Sequence, residues 1–527
     1  MPEIMSGMLL VPIGVPVLAA CGYGLAGWRR GTVWLAAVSS GLVLAAAITI
    51  AVTVARFGPA SAVGGLLRTD ALSAFMLIVI GAIALLATAA TPAYLAAEIT
   101  AGRASARTAA RHSLLVGLFV AAMATAVQAA NLGVLWVAIE ATTIVTAFLV
   151  GQRRTRAAVE AAWKYVVICS TGIALALLGT LILNYAATAA GRPGLDLVEL
   201  TAAAHSLDRP VTRIAVVLLI LGFGTKVGLV PMHAWLPDAH SQAPAPVSAL
   251  MSGVLLSVAF YAVLRVKAIS DAALGSGFAK AVLLVMALGA LAVAATLLLA
   301  QRDYKRMLAY HSIEHMGLLA LGGAVGSRLA VAAVLLHILG HGLAKAVLFL
   351  AAGRILQATG TSQVNQVHGL AGRDPALAGC VGLGVVALLG FPPFSLFASE
   401  LGMFRAGVTA GLGPLILAAL VLVLVITAAL FAHSAHMLLG DPPSARREGP
   451  GAATAPTNGP SPTNGPSPAT TITTATTSMG RTPASTISVL VAGLVTCAVL
   501  GMAAGPLQPL LYLAADTMTA DTIAATP

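Results

Sequence analysis

Apolar residues in this chain rarely alternate with polar ones. They run together in blocks long enough to cross a bilayer, separated by short stretches rich in Arg, Gly and Pro. The pattern predicts fourteen spans, at 7–26, 32–55, 70–97, 111–129, 131–150, 160–187, 211–230, 246–266, 279–301, 306–325, 329–352, 376–396, 412–439 and 486–513. Lipid offers no partner to an unpaired backbone group, so only helices or a closed barrel can span it. No alternating ten-residue strand pattern occurs, and the fold is expected to be an all-α polytopic bundle. The first apolar run has no basic segment before it and is read as a span, not a signal peptide.

Two runs are interrupted. In "GFGTKVGLVPMHAWLPDAH" (222–240) a lysine is followed five residues later by Pro231, and in "VVALLGFPPFSLFASEL" Pro392 and Pro393 precede Glu400. Proline removes a backbone hydrogen bond and clashes with the preceding turn, so spans 7 and 12 should each break there. They are the fourth members of two sets of five, spans 4–8 and 9–13. An odd number per set inverts the second copy, and paired broken spans point to a transport site at the repeat interface. The expected division is residues 1–110 for three N-terminal spans, 111–270 and 277–440 for the two repeats, 441–485 for a disordered Pro/Thr/Ser-rich linker containing the repeat TNGPSP, and 486–513 for a final span.

Composition agrees with that reading. Hydrophobic residues make up 59% of the 527 and charged residues only 9%, against about 25% charged in soluble domains. A soluble protein of this make-up would expose large apolar patches. The net charge of +11 lies mostly in short loops, so it orients the bundle and gives no reason to expect nucleic acid as a partner. Loops after odd-numbered spans hold sixteen Lys and Arg, and those after even-numbered spans ten. The bias predicts a multi-pass protein of the cell (inner) membrane with both termini outside the cytoplasm. Cys21, Cys169, Cys380 and Cys497 show no metal or disulfide spacing. No haem or flavin motif is present, and neither a cofactor nor a metal is expected.

An ionisable group at mid-bilayer costs at least about 2.5–3.5 kcal/mol, so each needs a partner or a task. His337, His341 and Lys345, at i, i+4 and i+8, share one face of span 11. Histidine both accepts and donates protons near neutral pH, so this face is either a proton lane or a structural polar seam. The His337/His341 pair also has zinc spacing, but no third ligand is evident in the sequence. Glu140 in span 5 needs a counter-ion, and Lys226, near the end of the first half-helix where unpaired carbonyls favour a cation, is the obvious one. Lys164 lies about a turn inside its span and is either a secondary member of the proton path or a cation that snorkels out. Glu314 and His315 closely follow the charged stretch "QRDYKR" and are expected near the cytoplasmic mouth. His233, Asp238 and His240 flank the break in span 7 and either line an entrance or face water.

Four stretches carry a family resemblance: "TKVGLVPMHAWLPDAHSQAPAPVSALMSGVLL" (225–256), "QRDYKRMLAYHSIEHMG" (301–317), "HILGHGLAKAVLFLAAG" (337–353) and "GFPPFSLFASE" (390–400). They resemble the antiporter-like subunits of respiratory complex I, Mrp cation/proton antiporters and membrane-bound hydrogenases. The wording "HSIEHMG" and the length resemble component F of hydrogenase-4 and its formate hydrogenlyase relatives most closely. The resemblance implies a proton-translocating subunit with no redox centre of its own, working beside other membrane and peripheral subunits. It also implies a coupled Glu140–Lys226 pair and a midplane path through His337, His341, Lys345 and Glu400. Span 8 departs from the complex I pattern, offering only Ser248, Ser252 and Ser257 where a lysine or histidine is common, which tilts the reading toward the hydrogenase branch. A sodium/proton antiporter subunit and a purely structural anchor are the alternatives.

Overall fold

The computed structural model describes residues 2–440 and 481–518, with side chains from residue 6. Helices α1 (Pro2–Ala26), α2 (Leu35–Phe57) and α3 (Ala71–Thr100) come first. A small antiparallel hairpin, β1 (Ala60–Ala62) and β2 (Leu67–Thr69), bridges α2 and α3. Then follow α4 (Ala106–Gln128), α5 (Leu132–Val150), α6 (Arg156–Ala189), the short α7 (Leu197–Ala202), α8 (Arg209–Val227), α9 (Trp235–Gln242) and α10 (Ala245–Leu250). A π-helical turn at Met251–Leu255 joins α10 to α11 (Leu256–Leu274). The second half holds α12 (Gly277–Leu299), α13 (Tyr304–Val325), α14 (Arg328–Thr359), the short α15 (Leu370–Arg373), α16 (Pro375–Leu388), α17 (Ser395–Thr409) and α18 (Gly413–Leu439). Helices α19 (Ala484–Met502) and α20 (Gln508–Asp516) close the described chain. The expected linker falls almost wholly on 441–480, outside the described residues.

Among the described residues twelve helices are long and apolar enough to cross a membrane. Their positions match twelve of the expected spans. The other two expected positions hold α13, which is more polar, and the broken pair α16–α17. Helix starts are set by local chemistry: Asp70, Ser105, Asn131, Thr155, Asp208, Asp303 and Ser327 each accept a first-turn amide hydrogen bond at the N-cap.

The packing separates lipid-facing helices from an interior one. The apolar windows of α18 and α19 are 28% and 22% buried, whereas that of α14 is fully enclosed. Phe148, Trp163 and Phe431 project outward, as suits an acyl-chain environment. Helix α14 touches α3, α10, α13, α16, α17, α19 and α20, so every face of it meets protein. The polar face carrying His337, His341 and Lys345 therefore never meets lipid.

Both interrupted spans break, with one adjustment. Helix α8 ends at Val227, four residues before Pro231, because Gly228 takes the left-handed conformation (φ 84°) that caps a helix. Lys226 sits in its last turn. In the second break α16 stops at Leu388, Gly390 has φ 66°, and α17 restarts at Ser395 with Glu400 in its second turn. The single final span expected at 486–513 is instead α19 and α20, parted by a turn containing Gly505 and Pro506, where proline cannot continue the helix.

Helices α6 and α8 approach closely at small residues. A Cβ added to Gly222 would come within 2.6 Å of the Ala176 amide nitrogen and the Gly172 carbonyl oxygen. This kind of contact draws membrane helices together without a hydrophobic driving force. Here it brings Tyr165 of α6 onto Lys226 of α8.

Candidate functional site

The densest polar cluster lies where α13, α14 and α17 meet. From α14 come His337, His341 and Lys345, and from α13 come His311, Glu314 and His315; all six are buried. The i, i+4 spacing stacks each histidine pair on one helical face, and the two faces look at each other. The His315 ring centre lies 4.6 Å from that of His311, 5.0 Å from His337 and 4.7 Å from His341.

Hydrogen bonds give the cluster a direction. The Ser399 hydroxyl donates to the Leu396 carbonyl at 2.9 Å, so its oxygen accepts from His337 Nδ1 at 3.0 Å. A neutral imidazole carries one N–H, so His337 Nε2 is an acceptor and receives His315 Nδ1–H at 2.9 Å. His315 Nε2 is then left with a bare lone pair, and it has no hydrogen-bond partner among the described residues. A proton arriving at that atom can drive His315 Nδ1–H onto His337 Nε2. Ser399, its own hydroxyl bonded to a carbonyl, orients the His337 N–H without taking a proton. The base beside the two rings is the Glu400 carboxylate, one of whose oxygens lies within 4.8 Å of a nitrogen of each.

Lys345 extends the cluster. Its ammonium donates to the Leu308 carbonyl at 2.6 Å and lies within electrostatic reach of Glu314. Beyond it His240 is buried, its ring centre 5.5 Å from that of Phe349 and both nitrogens without a described partner. Lys305, also buried, donates to the Ser241 and Ala243 carbonyls at 2.6 and 2.9 Å. Ser252, in the π-helical turn, is 2.9 Å from Ser312 of α13.

Lys226 forms a second centre. Its ammonium donates to the Thr143 hydroxyl at 2.8 Å and to the Tyr165 hydroxyl, and lies 4.6 Å from the Tyr165 ring centre. The Trp235 indole N–H donates to the Thr225 carbonyl at 2.9 Å, which also accepts the Gly228 amide at 3.1 Å at the half-helix end. Among the described residues no ion pair joins Glu140 to Lys226. They are within electrostatic reach, but Glu140 Oε2 is buried and has no hydrogen-bond partner among the described residues. The ammonium turns to hydroxyl groups instead.

Other expected residues separate by location. Lys164 is half exposed and pairs with Glu160 at 2.7 Å and Asp238 at 3.1 Å, and Arg306 reaches Asp238 at 2.8 Å. They line a polar pocket of about 390 Å³ beside the break after α8. Asp238 thus meets solvent, whereas His240, two residues on, is enclosed. His233 is partly exposed. Glu314 and His315, expected near the mouth, are 3% and 0% exposed. Helix α13 buries its polar face along most of its length because α9, α14 and α17 all pack on it. The sequence reading passed over His311 and Lys305. The signal for His311 was its i, i+4 relation to His315, the same spacing that singled out His337 and His341.

Two triplets bring possible metal-ligand atoms within 4.8 Å of one another: His311, Glu314 and His315, and His315, His337 and Glu400. Neither triplet contains both His337 and His341, whose ring centres lie 6.3 Å apart, so the span 11 pair is not itself brought together as two ligands of one ion.

Residues 129–427 match the NADH:quinone oxidoreductase/Mrp antiporter transmembrane family. A curated relative, the "Hydrogenase-4 component F homolog" of Methylacidiphilum infernorum, is 38% identical over 310 residues, covering 58% of this chain and 65% of its own length. The NADH-quinone oxidoreductase subunit N of Desulforudis audaxviator is 36% identical over 258 residues, 48% of this chain and 50% of the relative. The matched region thus spans between half and just under two thirds of these relatives. A chain from the Mrp complex of Dietzia sp. shares the fold, with a TM-score of 0.82 at 23% identity over 99% of this chain and 98% of that one. A bundle of long apolar helices around a buried histidine line is the setting in which these matches fall, and the chain is a multi-pass membrane protein of the NADH:quinone oxidoreductase/Mrp antiporter transmembrane family.

Proposed function

We propose that this protein is a proton-translocating membrane subunit of a redox-driven complex, of the hydrogenase-4 or formate hydrogenlyase type. The observation that carries the reading is the hydrogen-bonded line from His315 through His337 to Ser399, enclosed by protein on all sides. Histidines hold and pass protons, and an enclosed polar line is costly to keep unless it serves transfer. Lys226, at a helix end beside Tyr165 and within reach of Glu140, is the coupling group. A change in its distance to Glu140 alters its hold on a proton, because an opposite charge strengthens that hold and desolvation weakens it. Lys345 and the histidines carry the proton on toward Glu400. Breaks in α8–α9 and α16–α17 belong to two inverted five-helix repeats. Electrons are handled by partner subunits, membrane-bound and peripheral, in the cell (inner) membrane, with both termini outside the cytoplasm.

The experiment is acidification of inside-out membrane vesicles, read with a pH-sensitive dye while the native electron donor is supplied. Lys226→Ala should abolish acidification while the complex still assembles. Unchanged acidification sinks the reading. Sodium dependence of the same signal would instead support an Mrp-type antiporter or a related complex I role, with Glu400 and Ser399 as oxygen ligands.

A further inference from the structure

We propose that His311, Glu314 and His315, closed by His341, form a binding site for a zinc-class divalent cation inside the bundle. Three observations carry it. One possible ligand atom from each of His311, Glu314 and His315 lies within 4.8 Å of the other two, and the three side chains are buried. His311 Nδ1 and Glu314 Oε2 are 3.3 Å apart, yet neither atom makes a hydrogen bond among the described residues. Tetrahedral ligands at about 2.1 Å from zinc stand ~3.4 Å apart. The pair is therefore spaced as two ligands of one ion are.

The third observation is the bare lone pair on His315 Nε2. His315 donates its other N–H to His337, which in turn donates to Ser399. A metal-ligating histidine is held in this way, its second nitrogen bonded to a fixed acceptor that sets the tautomer and orients the ring. His341 has both nitrogens unpartnered among the described residues and a ring centre 4.7 Å from that of His315, which places it to supply a fourth ligand. Glu314 contributes one negative charge. Glu400, within electrostatic reach of Glu314, offsets the second charge of the ion. Lys345 faces the same carboxylate, so a charged ammonium and the cation compete for Glu314.

Binding is tested on the purified, untagged full chain in detergent, by calorimetric titration with Zn²⁺ and zinc-edge X-ray absorption. One Zn²⁺ per chain is expected, with a shell of nitrogen and oxygen at about 2.0–2.2 Å. His311→Ala and the isosteric Glu314→Gln should each weaken binding by more than ~10-fold. Lys345→Gln should tighten it, an effect no merely structural lysine would produce. His436→Ala, on the exposed end of α18, should change nothing. Absence of binding, a sulfur or six-oxygen shell, or binding indifferent to both His311→Ala and Glu314→Gln overturns the site. An occupied site takes up the lone pair that starts the histidine line, so Zn²⁺ should block vesicle acidification. That consequence rests on the proposed proton transport, whereas the titration does not, and the two can fail separately.

Discussion

His315 Nδ1 and His337 Nε2 stand 2.9 Å apart, linking α13 to α14 through the interior of the bundle. Because Ser399 fixes the tautomer of His337, the bond has a sense: His315 donates and His337 accepts. A line in which every neutral imidazole points the same way takes a proton at one end and delivers it at the other. After one transfer the rings must turn over before the next.

Replacing His337 tests the line directly. His337→Leu keeps the volume roughly constant and removes both nitrogens. Positioned acid–base groups contribute about 10²–10⁴-fold to proton transfer, so acidification in vesicles should fall by about 100-fold. Retention of half the rate in an assembled complex would show that protons travel elsewhere.

Ser399→Ala leaves the His337 N–H without its acceptor in a buried place. Such a loss costs roughly 1–3 kcal/mol. A lower unfolding temperature in detergent is expected, together with slower acidification, because the tautomer is no longer held. Ser399→Thr restores the oxygen and should recover most of both. A rescue of stability without any rescue of acidification would argue that the serine only props the helices.

At Gly390, φ is 66° and an added Cβ would sit 2.5 Å from Glu400 Oε2. Gly390→Ala is therefore strained by roughly 1–3 kcal/mol and pushes the carboxylate away from the histidine line. Gly379→Ala in α16, where an added Cβ meets nothing within 4 Å among the described residues, is the control and should be neutral or slightly stabilising. Equal behaviour of the two variants in melting and acidification would remove the close approach as an explanation.

The Asp70–Arg265 pair, at 2.6 Å, ties the start of α3 to α11, and Asp70 also caps α3 by accepting the Ser73 amide. Both side chains are largely enclosed. Asp70→Ala leaves an uncompensated guanidinium and an open helix end, at a cost of roughly 3 kcal/mol. The loss should appear in the denaturation midpoint. Acidification per assembled complex should stay at the wild-type level, which separates this pair from the relay.

Much of this architecture can be read along the chain. Unbroken apolar runs demand helices, because hydrocarbon satisfies no backbone group. Pro231, Pro392 and Pro393 mark the two breaks to within a few residues, since local backbone preference acts over that range. His337, His341 and Lys345 announce a shared face by spacing alone. What a one-dimensional pattern cannot carry is which face meets which. Glu314 and His315 follow a charged stretch and look accessible, yet α9, α14 and α17 close over α13. Glu140 and Lys226 look like partners by charge, but the ammonium is satisfied by Thr143 and Tyr165, brought within reach by the glycine contact between α6 and α8.

The amino-acid order by itself determined a helical membrane bundle, its two broken helices and the polar face of α14, because those follow from short-range rules of backbone and burial. Only the tertiary structure decided that His311 and His315 complete that face, that Ser399 orients it, and that Lys226 rests on hydroxyl groups. Contacts between residues tens or hundreds apart depend on how whole helices pack, and no local pattern encodes that.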